Sequence, residues 1–163
     1  HIDFDGLHLD IEPDQLAGKL TGKHRLEEFV ETVRQVTVVS PWPVAVSIHP
    51  RYLEKETSFD VCVPCQFKEM GVKEITVMYY ATNVQTVVTA MKSAMHQYSG
   101  MLFSLAQSLE RELGSDNSYA HKPQAFFKRA MLQLHNQLQA ANFGGLIIQS
   151  WQDWERYIHE NPL

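Results

Sequence analysis

Three side chains capable of acid–base chemistry alternate near the start of the chain. His8, Asp10 and Glu12 are spaced by two, and apolar residues lie between them. This alternation predicts a β-strand over 2–12 with one polar face, which Pro13 ends. A carboxyl group beside a second carboxylate in a partly dry pocket keeps its proton near neutral pH, as a general acid must. We therefore predict Asp10 and Glu12 as catalytic residues, with His8 beside them.

Patterns of strand and helix alternate along the rest of the chain. Further strands are predicted at 44–49, 74–80, 101–107 and 143–149, and helices at 25–36, 84–98, 124–141 and 151–159. Segment 59–70 is ambiguous, and 114–121 is predicted as a polar loop. Five strands that alternate with helices predict a single α/β domain with a parallel sheet.

Two architectures would provide such a sheet, an open doubly wound sheet and a (β/α)8 barrel. A dinucleotide-binding open sheet has a glycine-rich turn after its first strand, whereas Pro13 and Asp14 follow Glu12 here. Small inward residues on later strands suit a crowded barrel interior; they are Ala45, Ser47, Ser104 and Ala106. A complete barrel takes about 250 residues, and three further units of about 30 residues would bring 163 residues to that length. We predict that 1–163 is one partial TIM-barrel domain, strands four to eight.

The start of the chain and its predicted edges bear on assembly. The sequence begins at His1 and enters a strand pattern at once, so we expect that something upstream is missing. A half barrel on its own exposes two sheet edges, and exposed edges promote association. We therefore expect a homodimer, a swapped arrangement or a missing N-terminal half.

Charge and composition narrow the classes of partner. The chain has 14 Lys and Arg against 19 Asp and Glu, a net charge of −5, and is 44% hydrophobic. The negative charge argues against a general nucleic-acid or anionic-membrane surface, and the apolar content excludes a disordered chain. No apolar run approaches the roughly 18 residues of a transmembrane helix. We predict a carbohydrate or related small molecule as ligand, no nucleic acid, no membrane and no cofactor.

The first strand carries a resemblance to a known family. Segment 5–12, D-G-L-H-L-D-I-E, resembles the D-G-x-D-x-D-x-E motif of glycoside hydrolase family 18, the chitinase-like enzymes. Segment 4–13 is even more similar to a group of uncharacterised bacterial barrel proteins that carry G-F-D-G-x-H-L-D-I-E-P and are distantly similar to those enzymes. Later segments resemble the family's fifth to eighth strands in order, from 2 to about 154; they are 44–50, 78–80, 101–107 and 144–148.

The resemblance implies a fold, a reaction and a set of roles. Glu12 would protonate the leaving glycosidic oxygen, and Asp10 would orient the N-acetyl group of the substrate. The carbonyl oxygen of that group would attack the anomeric carbon in place of a protein nucleophile. Tyr80 would form a hydrogen bond with the acetamido group, and an aromatic residue of the eighth strand would form the floor of the sugar site.

The chain departs from the family pattern at three positions. His8 replaces the middle Asp of the motif, and Ala81 replaces the Asp that follows the tyrosine. Gln149 stands where the eighth-strand Trp belongs, and Trp151 follows two residues later. Glu12 matches the general acid of the family motif, whereas the residues that assist that acid in the family are replaced. The substrate then lacks the usual acetamido sugar, or the chain is an inactive carbohydrate-binding barrel.

Two other site chemistries compete with a substrate-assisted glycosidase. His8, Asp10, Glu12 and His49 could bind a metal on adjacent strands, which would indicate a metal-dependent hydrolase. Glu110 could instead pair with Glu12 as nucleophile and acid of a retaining glycosidase, which needs about 5 Å between the carboxyl groups. Glu110 also resembles a solvated helix start. Both chemistries stay alternatives, and the predicted site includes neither a metal nor Glu110.

Further residues are predicted to line the mouth of the barrel. Arg51 and Tyr52 follow His49 and Pro50 at the end of the second strand. Strand ends on this face carry the active sites of barrel enzymes. The predicted substrate-binding residues are His8, His49, Tyr52, Gln149 and Trp151.

The two cysteines have a C-x-x-C spacing, at Cys62 and Cys65. A redox pair and half of a zinc site are the functional interpretations of that spacing. A redox pair is expected to open a helix after a strand, and Pro64 within a Val-rich run does not indicate a helix start. We therefore predict two structural cysteines.

Overall fold

The computed structural model describes residues 3–13, 22–53 and 61–160, and strands alternate with helices throughout them. The strands are β1 (Leu7–Asp10), β2 (Val44–Ile48), β3 (Glu74–Met78), β4 (Leu102–Ser108) and β5 (Phe143–Gln149). The helices are α1 (Gly22–Val39), α2 (Val63–Glu69), α3 (Val84–Gln97), α4 (Gln124–Gln137) and α5 (Trp151–Glu160). Short 3-10 turns cover Pro50–Leu53 and Tyr119–His121.

The five strands form one sheet in the order β1-β2-β3-β4-β5, and every neighbouring pair is parallel. The predicted parallel α/β fold is therefore confirmed. Because consecutive strands are neighbours and crossovers are right-handed, the connecting helices lie on one side of the sheet. All carboxyl ends meet along one edge of the sheet, where the loops that follow the strands converge. Within the described residues, β1 and β5 each have a single neighbouring strand.

One face of the sheet packs against the helices. The central strands contribute alternate apolar residues, as the period of a strand requires. These residues are Val44, Val46, Ile48, Ile75, Val77, Phe103 and Leu105. Helix α1 adds a stripe spaced at three and four residues, which is Leu26, Phe29, Val30 and Val33. Full burial of a side chain of this size contributes about 1.5–3 kcal/mol, so this cluster fixes the strands that carry the site.

The opposite face carries small and polar side chains, as predicted for an inward face. In register across the sheet, Asp10 lies beside Ser47, Ser47 beside Thr76 and Thr76 beside Ser104. The three hydroxyl residues are buried, whereas Asp10 on the edge strand is exposed. Burial therefore differs along one row of this face, between the centre of the sheet and its β1 edge.

A second apolar cluster lies under the segment that follows β4. It consists of Leu109, Tyr119, Phe127, Ala130 and Tyr157, contributed by that segment, α4 and α5. The Tyr157 hydroxyl also donates to the Lys122 carbonyl oxygen at 3.0 Å. The segment predicted as a polar loop is thus anchored to two helices.

Most predicted elements differ from the structure by one to four residues at an end, among them α1 (predicted over 25–36) and α4 (predicted over 124–141), and two differ more. The first strand was expected over 2–12, but β1 begins at Leu7, whose N–H donates to the Pro43 carbonyl oxygen. Its partner β2 begins at Val44, so no ladder partner is available to the residues before Leu7. The ambiguous segment 59–70 contains α2, and residues 54–60 lie outside the described part of the chain.

A helix does begin at the cysteines, so the expectation that Pro64 prevents a helix start there is wrong. Cys62 is the residue before the first turn of α2, and Pro64 lies inside that turn. Proline is tolerated there because its missing N–H would have no helical partner. The two cysteines are joined by a disulfide bond.

No helix among the described residues is long and apolar enough to cross a membrane.

Candidate functional site

A cleft of about 640 Å³ opens at the carboxyl ends of the strands. Each of the five strands, or the loop that follows it, contributes to its wall. The lining residues are Glu12, His49, Pro50, Arg51, Met78, Tyr79, Tyr80, Glu110, Leu113, Asn117 and Gln149. Four predicted site residues, Glu12, His49, Tyr80 and Gln149, are therefore brought together from segments far apart in the sequence.

Tyr80 lies two residues beyond the end of β3 and is partly buried in the wall of the cleft. Its hydroxyl donates a hydrogen bond to Gln149 Oε1, at the end of β5. Burial raises the pKa of Tyr80 far above its usual value, and the charges of Glu110, Asp10 and Glu12 raise it further. Tyr80 is therefore a neutral hydrogen-bond donor at every pH near neutrality.

The predicted acid and its neighbour lie on the β1 side of the cleft. Asp10 is the last residue of β1, and Glu12 follows two residues later. Both side chains are exposed, because β1 is an edge strand in the described sheet. Both charges raise the pKa of Tyr80. Glu12 and Tyr80 line the cleft, whereas Asp10 is not among its lining residues.

Glu110 lies at the cleft as well, just beyond β4. The Ser108 hydroxyl donates to Glu110 Oε2 at 2.9 Å, and the Glu110 N–H donates to Ser108 Oγ at 3.0 Å. Glu110 is the largest charged contributor to the pKa of Tyr80. Its position just beyond the end of β4 is the sequence signal that could have identified Glu110 as a predicted site residue.

The segment after β4 brings two further residues, Leu113 and Asn117, to the wall. The N–H of Thr82 donates to the Asp116 carbonyl oxygen at 2.7 Å, and the Ser118 hydroxyl donates to the Ser108 carbonyl oxygen at 3.3 Å. These bonds tie the segment to the ends of β3 and β4. The sequence did not predict these two wall residues, because a polar loop has no hydrophobic periodicity from which its position in the fold could be inferred.

Three predicted substrate-binding residues lie away from the lining. His8 is on the small-residue face and shares a hydrogen bond with Ser47 Oγ at 2.9 Å. Tyr52 is buried, and its ring packs against those of Phe29 and His49. Trp151 is the first residue of α5 and is 70% exposed. Tyr52 thus supports the His49 side of the wall from the core.

The metal alternative has no geometric support among the described residues. No group of three or more His, Cys, Asp or Glu side chains there could hold a metal ion. His8, Asp10, Glu12 and His49 all belong to the described part of the chain, and they do not form such a group.

Comparison with known proteins adds no relative. Searches against protein-family models, curated proteins and solved structures each gave no significant match. The resemblance of segment 5–12 to the chitinase-like enzymes therefore stays a prediction.

Proposed function

We propose that the chain is the strand-four-to-eight part of a (β/α)8 barrel and hydrolyses a glycosidic bond, with Glu12 as the general acid. The observation that supports this most is the convergence of Glu12, Tyr80 and Gln149 on one cleft at the carboxyl ends of β1, β3 and β5. Carboxyl ends of parallel strands are where barrel enzymes bind and convert substrates. The polar side chains of the wall, such as Glu110, Asn117 and Gln149, can form hydrogen bonds with the hydroxyl groups of a ligand.

The first candidate reaction is the substrate-assisted hydrolysis of an N-acetylated sugar. Glu12 donates its proton to the leaving glycosidic oxygen while the acetamido carbonyl oxygen attacks the anomeric carbon. Asp10 orients that acetamido group. Tyr80 shifts its hydrogen bond from Gln149 to the acetamido oxygen, where a neutral donor is required. The Gln149 amide group can then bind a sugar hydroxyl in place of the stacking surface that a tryptophan would provide.

A second candidate uses Glu110 as a protein nucleophile. Glu110 lines the cleft and is held by two hydrogen bonds to Ser108. A retaining glycosidase of this kind needs a carboxylate of fixed position about 5 Å from the acid. In that case the sugar needs no acetamido group, which agrees with the replacement of an Asp by Ala81.

A third candidate is a binding barrel without catalysis. The changes at His8, Ala81 and Gln149 favour it, because they alter the helpers of the acid while the cleft is kept. Oligosaccharide binding without turnover, both in the natural protein and in Ala81→Asp, would support this candidate and overturn hydrolysis.

The test compares the natural protein with Glu12→Gln on two substrates. Glu12→Gln keeps the shape of the side chain and removes the transferable proton. On a chito-oligosaccharide, whose leaving group needs protonation, we expect a loss of about 10²–10⁴-fold in kcat/KM. On an aryl glycoside with an activated leaving group, most of the rate should survive. Glu28→Gln, a surface carboxylate on α1, is the control and should keep full activity.

Three outcomes decide among the candidates. Equal rates for the natural protein and Glu12→Gln on the oligosaccharide would overturn Glu12 as the acid. A glycosyl azide of inverted anomeric configuration from Glu110→Ala in the presence of azide would identify Glu110 as the nucleophile and reject the substrate-assisted route. Less than a tenfold loss in Glu110→Gln supports the substrate-assisted route.

A further inference from the structure

The disulfide bond Cys62–Cys65 lies outside the cleft and has features of an exchanging pair. It joins residues separated by three positions, with 5.3 Å between their Cα atoms. A disulfide that closes so short a loop restricts the unfolded chain less than one that closes a long loop. Its contribution to stability is correspondingly small, so stability alone does not account for it.

The helix that carries the pair is held by other contacts. Val63 and Phe67 of α2 are fully buried in the core, and Phe67 packs edge-on against Phe29 of α1. These contacts do not involve either sulfur atom. The disulfide bond can therefore open and close while α2 keeps its place.

The two cysteines differ in solvent exposure. Cys65 is exposed, whereas Cys62 is partly buried. Cys65 lines a surface depression of about 300 Å³ between α2 and the turn that follows α3, together with Lys68, Tyr98 and Gly100. An incoming thiolate therefore reaches Cys65 Sγ first, and Cys62 Sγ is the leaving group. The N–H of Cys65 also lies 3.3 Å from Cys62 Sγ, where it stabilises negative charge on that sulfur.

The depression carries charges of both signs. Lys68 and Glu69 line it together, and both lie about one helical turn after Cys65. The Lys68 ammonium group rests against Gly100, where a Cβ atom would collide with it. The depression therefore limits the size of an incoming thiol and not the sign of its charge.

We propose that Cys62–Cys65 is a thiol–disulfide exchange site for small thiols that fit the depression. A thiolate attacks Cys65 Sγ, the bond to Cys62 Sγ breaks, and its electron pair leaves on Cys62 Sγ, which takes up a proton. A second thiolate then attacks the mixed disulfide, releases the oxidised small molecule and leaves Cys65 as a thiol. Two small thiols are oxidised, and one protein disulfide is reduced. This assignment is independent of the proposed glycosidase function.

The first experiment measures where glutathione reacts. The folded full chain is incubated with reduced glutathione, then alkylated and weighed by mass spectrometry. We expect two alkylated cysteines without denaturant and an unchanged far-ultraviolet circular dichroism spectrum. Cys62→Ser should form a mixed disulfide with oxidised glutathione faster than Cys65→Ser does. Reduction that occurs only in urea, or faster reaction of Cys65→Ser, would overturn the proposal.

The second experiment removes both sulfur atoms. The Cys62→Ser/Cys65→Ser double variant must keep its fold, and its failure to fold would assign the disulfide bond to structure alone.

Discussion

The two sides of the cleft differ in how firmly the fold holds their functional groups. On the β3–β5 side, Tyr80 donates to Gln149, and Glu110 is held by Ser108; all four are partly or fully buried. On the β1 side, Asp10 and Glu12 are exposed, and the strand that carries Asp10 has one neighbour in the described sheet. The groups that would bind substrate are thus preorganised, whereas the group that would donate the proton faces water.

Strand position accounts for part of this contrast. Tyr80 and Glu110 follow the central strands β3 and β4, each of which has a neighbour on both edges. An edge strand such as β1 has a free row of backbone groups and less protein around it. The other edge strand of the described sheet, β5, carries Gln149, which is held by its hydrogen bond with Tyr80. A general acid works best where water is excluded. Substrate or another segment of protein that covers β1 would supply that exclusion.

The largest effect expected for a group on the preorganised side is that of Tyr80. Tyr80→Phe removes a neutral donor from the wall and should lower kcat/KM on a chito-oligosaccharide by about 10²-fold, as loss of one preorganised donor does. Tyr98→Phe is the control: its hydroxyl donates to the Leu53 carbonyl oxygen at 3.3 Å, away from the cleft lining. Steady-state kinetics give kcat/KM for both variants. Equal rates for Tyr80→Phe and Tyr98→Phe would remove the donor role.

A smaller effect compares two hydroxyl groups in one row of the sheet. Ser47 is bonded to His8, whereas Thr76 Oγ1, its neighbour in register, is buried without a hydrogen-bond partner among the described residues. Ser47→Ala should lower the free energy of unfolding by about 0.5–1.5 kcal/mol. Thr76→Val replaces the unsatisfied hydroxyl group with a methyl group of similar shape. The free energy of unfolding should stay unchanged or rise. Urea denaturation measures both, and a cost above about 1 kcal/mol for Thr76→Val would contradict the assignment.

The smallest effect concerns Tyr119, under the segment that carries Glu110. Its hydroxyl is buried without a hydrogen-bond partner in the described part of the chain, and burial raises its pKa from 10.0 to about 12. The unfolded chain releases this proton first, so the stability that Tyr119 contributes is complete below pH 10 and is lost between pH 10 and about 12.

Tyr119→Phe should therefore be neutral or slightly stabilising at pH 7. Between pH 9 and 11, the natural protein should lose about 1 kcal/mol more of its unfolding free energy than the variant. Urea denaturation at the two pH values checks this. Parallel losses in both proteins would show that Tyr119 ionises as readily in the folded state as in the unfolded chain.

The sequence predicted most of the secondary structure. β5 has the predicted bounds and β2 ends one residue before its predicted end, since apolar patterning and the flanking Pro and Gly residues are local signals. The α3 and α4 helices begin where predicted, after Asn83 and Pro123. The shorter β1 could not be predicted, because its length depends on where β2 begins. The α2 start was missed, because Pro64 was taken as a break instead of a first-turn residue.

The sequence by itself determined the order of strands and helices, the strand-end position of Glu12 and the small residues of the inner face. These depend on periodicity and on residue size, which each segment carries alone. Tertiary structure decided that Tyr80 meets Gln149, 69 positions away, that Glu110 enters the wall, and that Tyr52 lies in the core. It also decided that Asp10 is exposed while Thr76 in the same row is buried. The physical reason is that burial and hydrogen bonding depend on which strands are neighbours and how many each has, a property of the sheet and of no single segment.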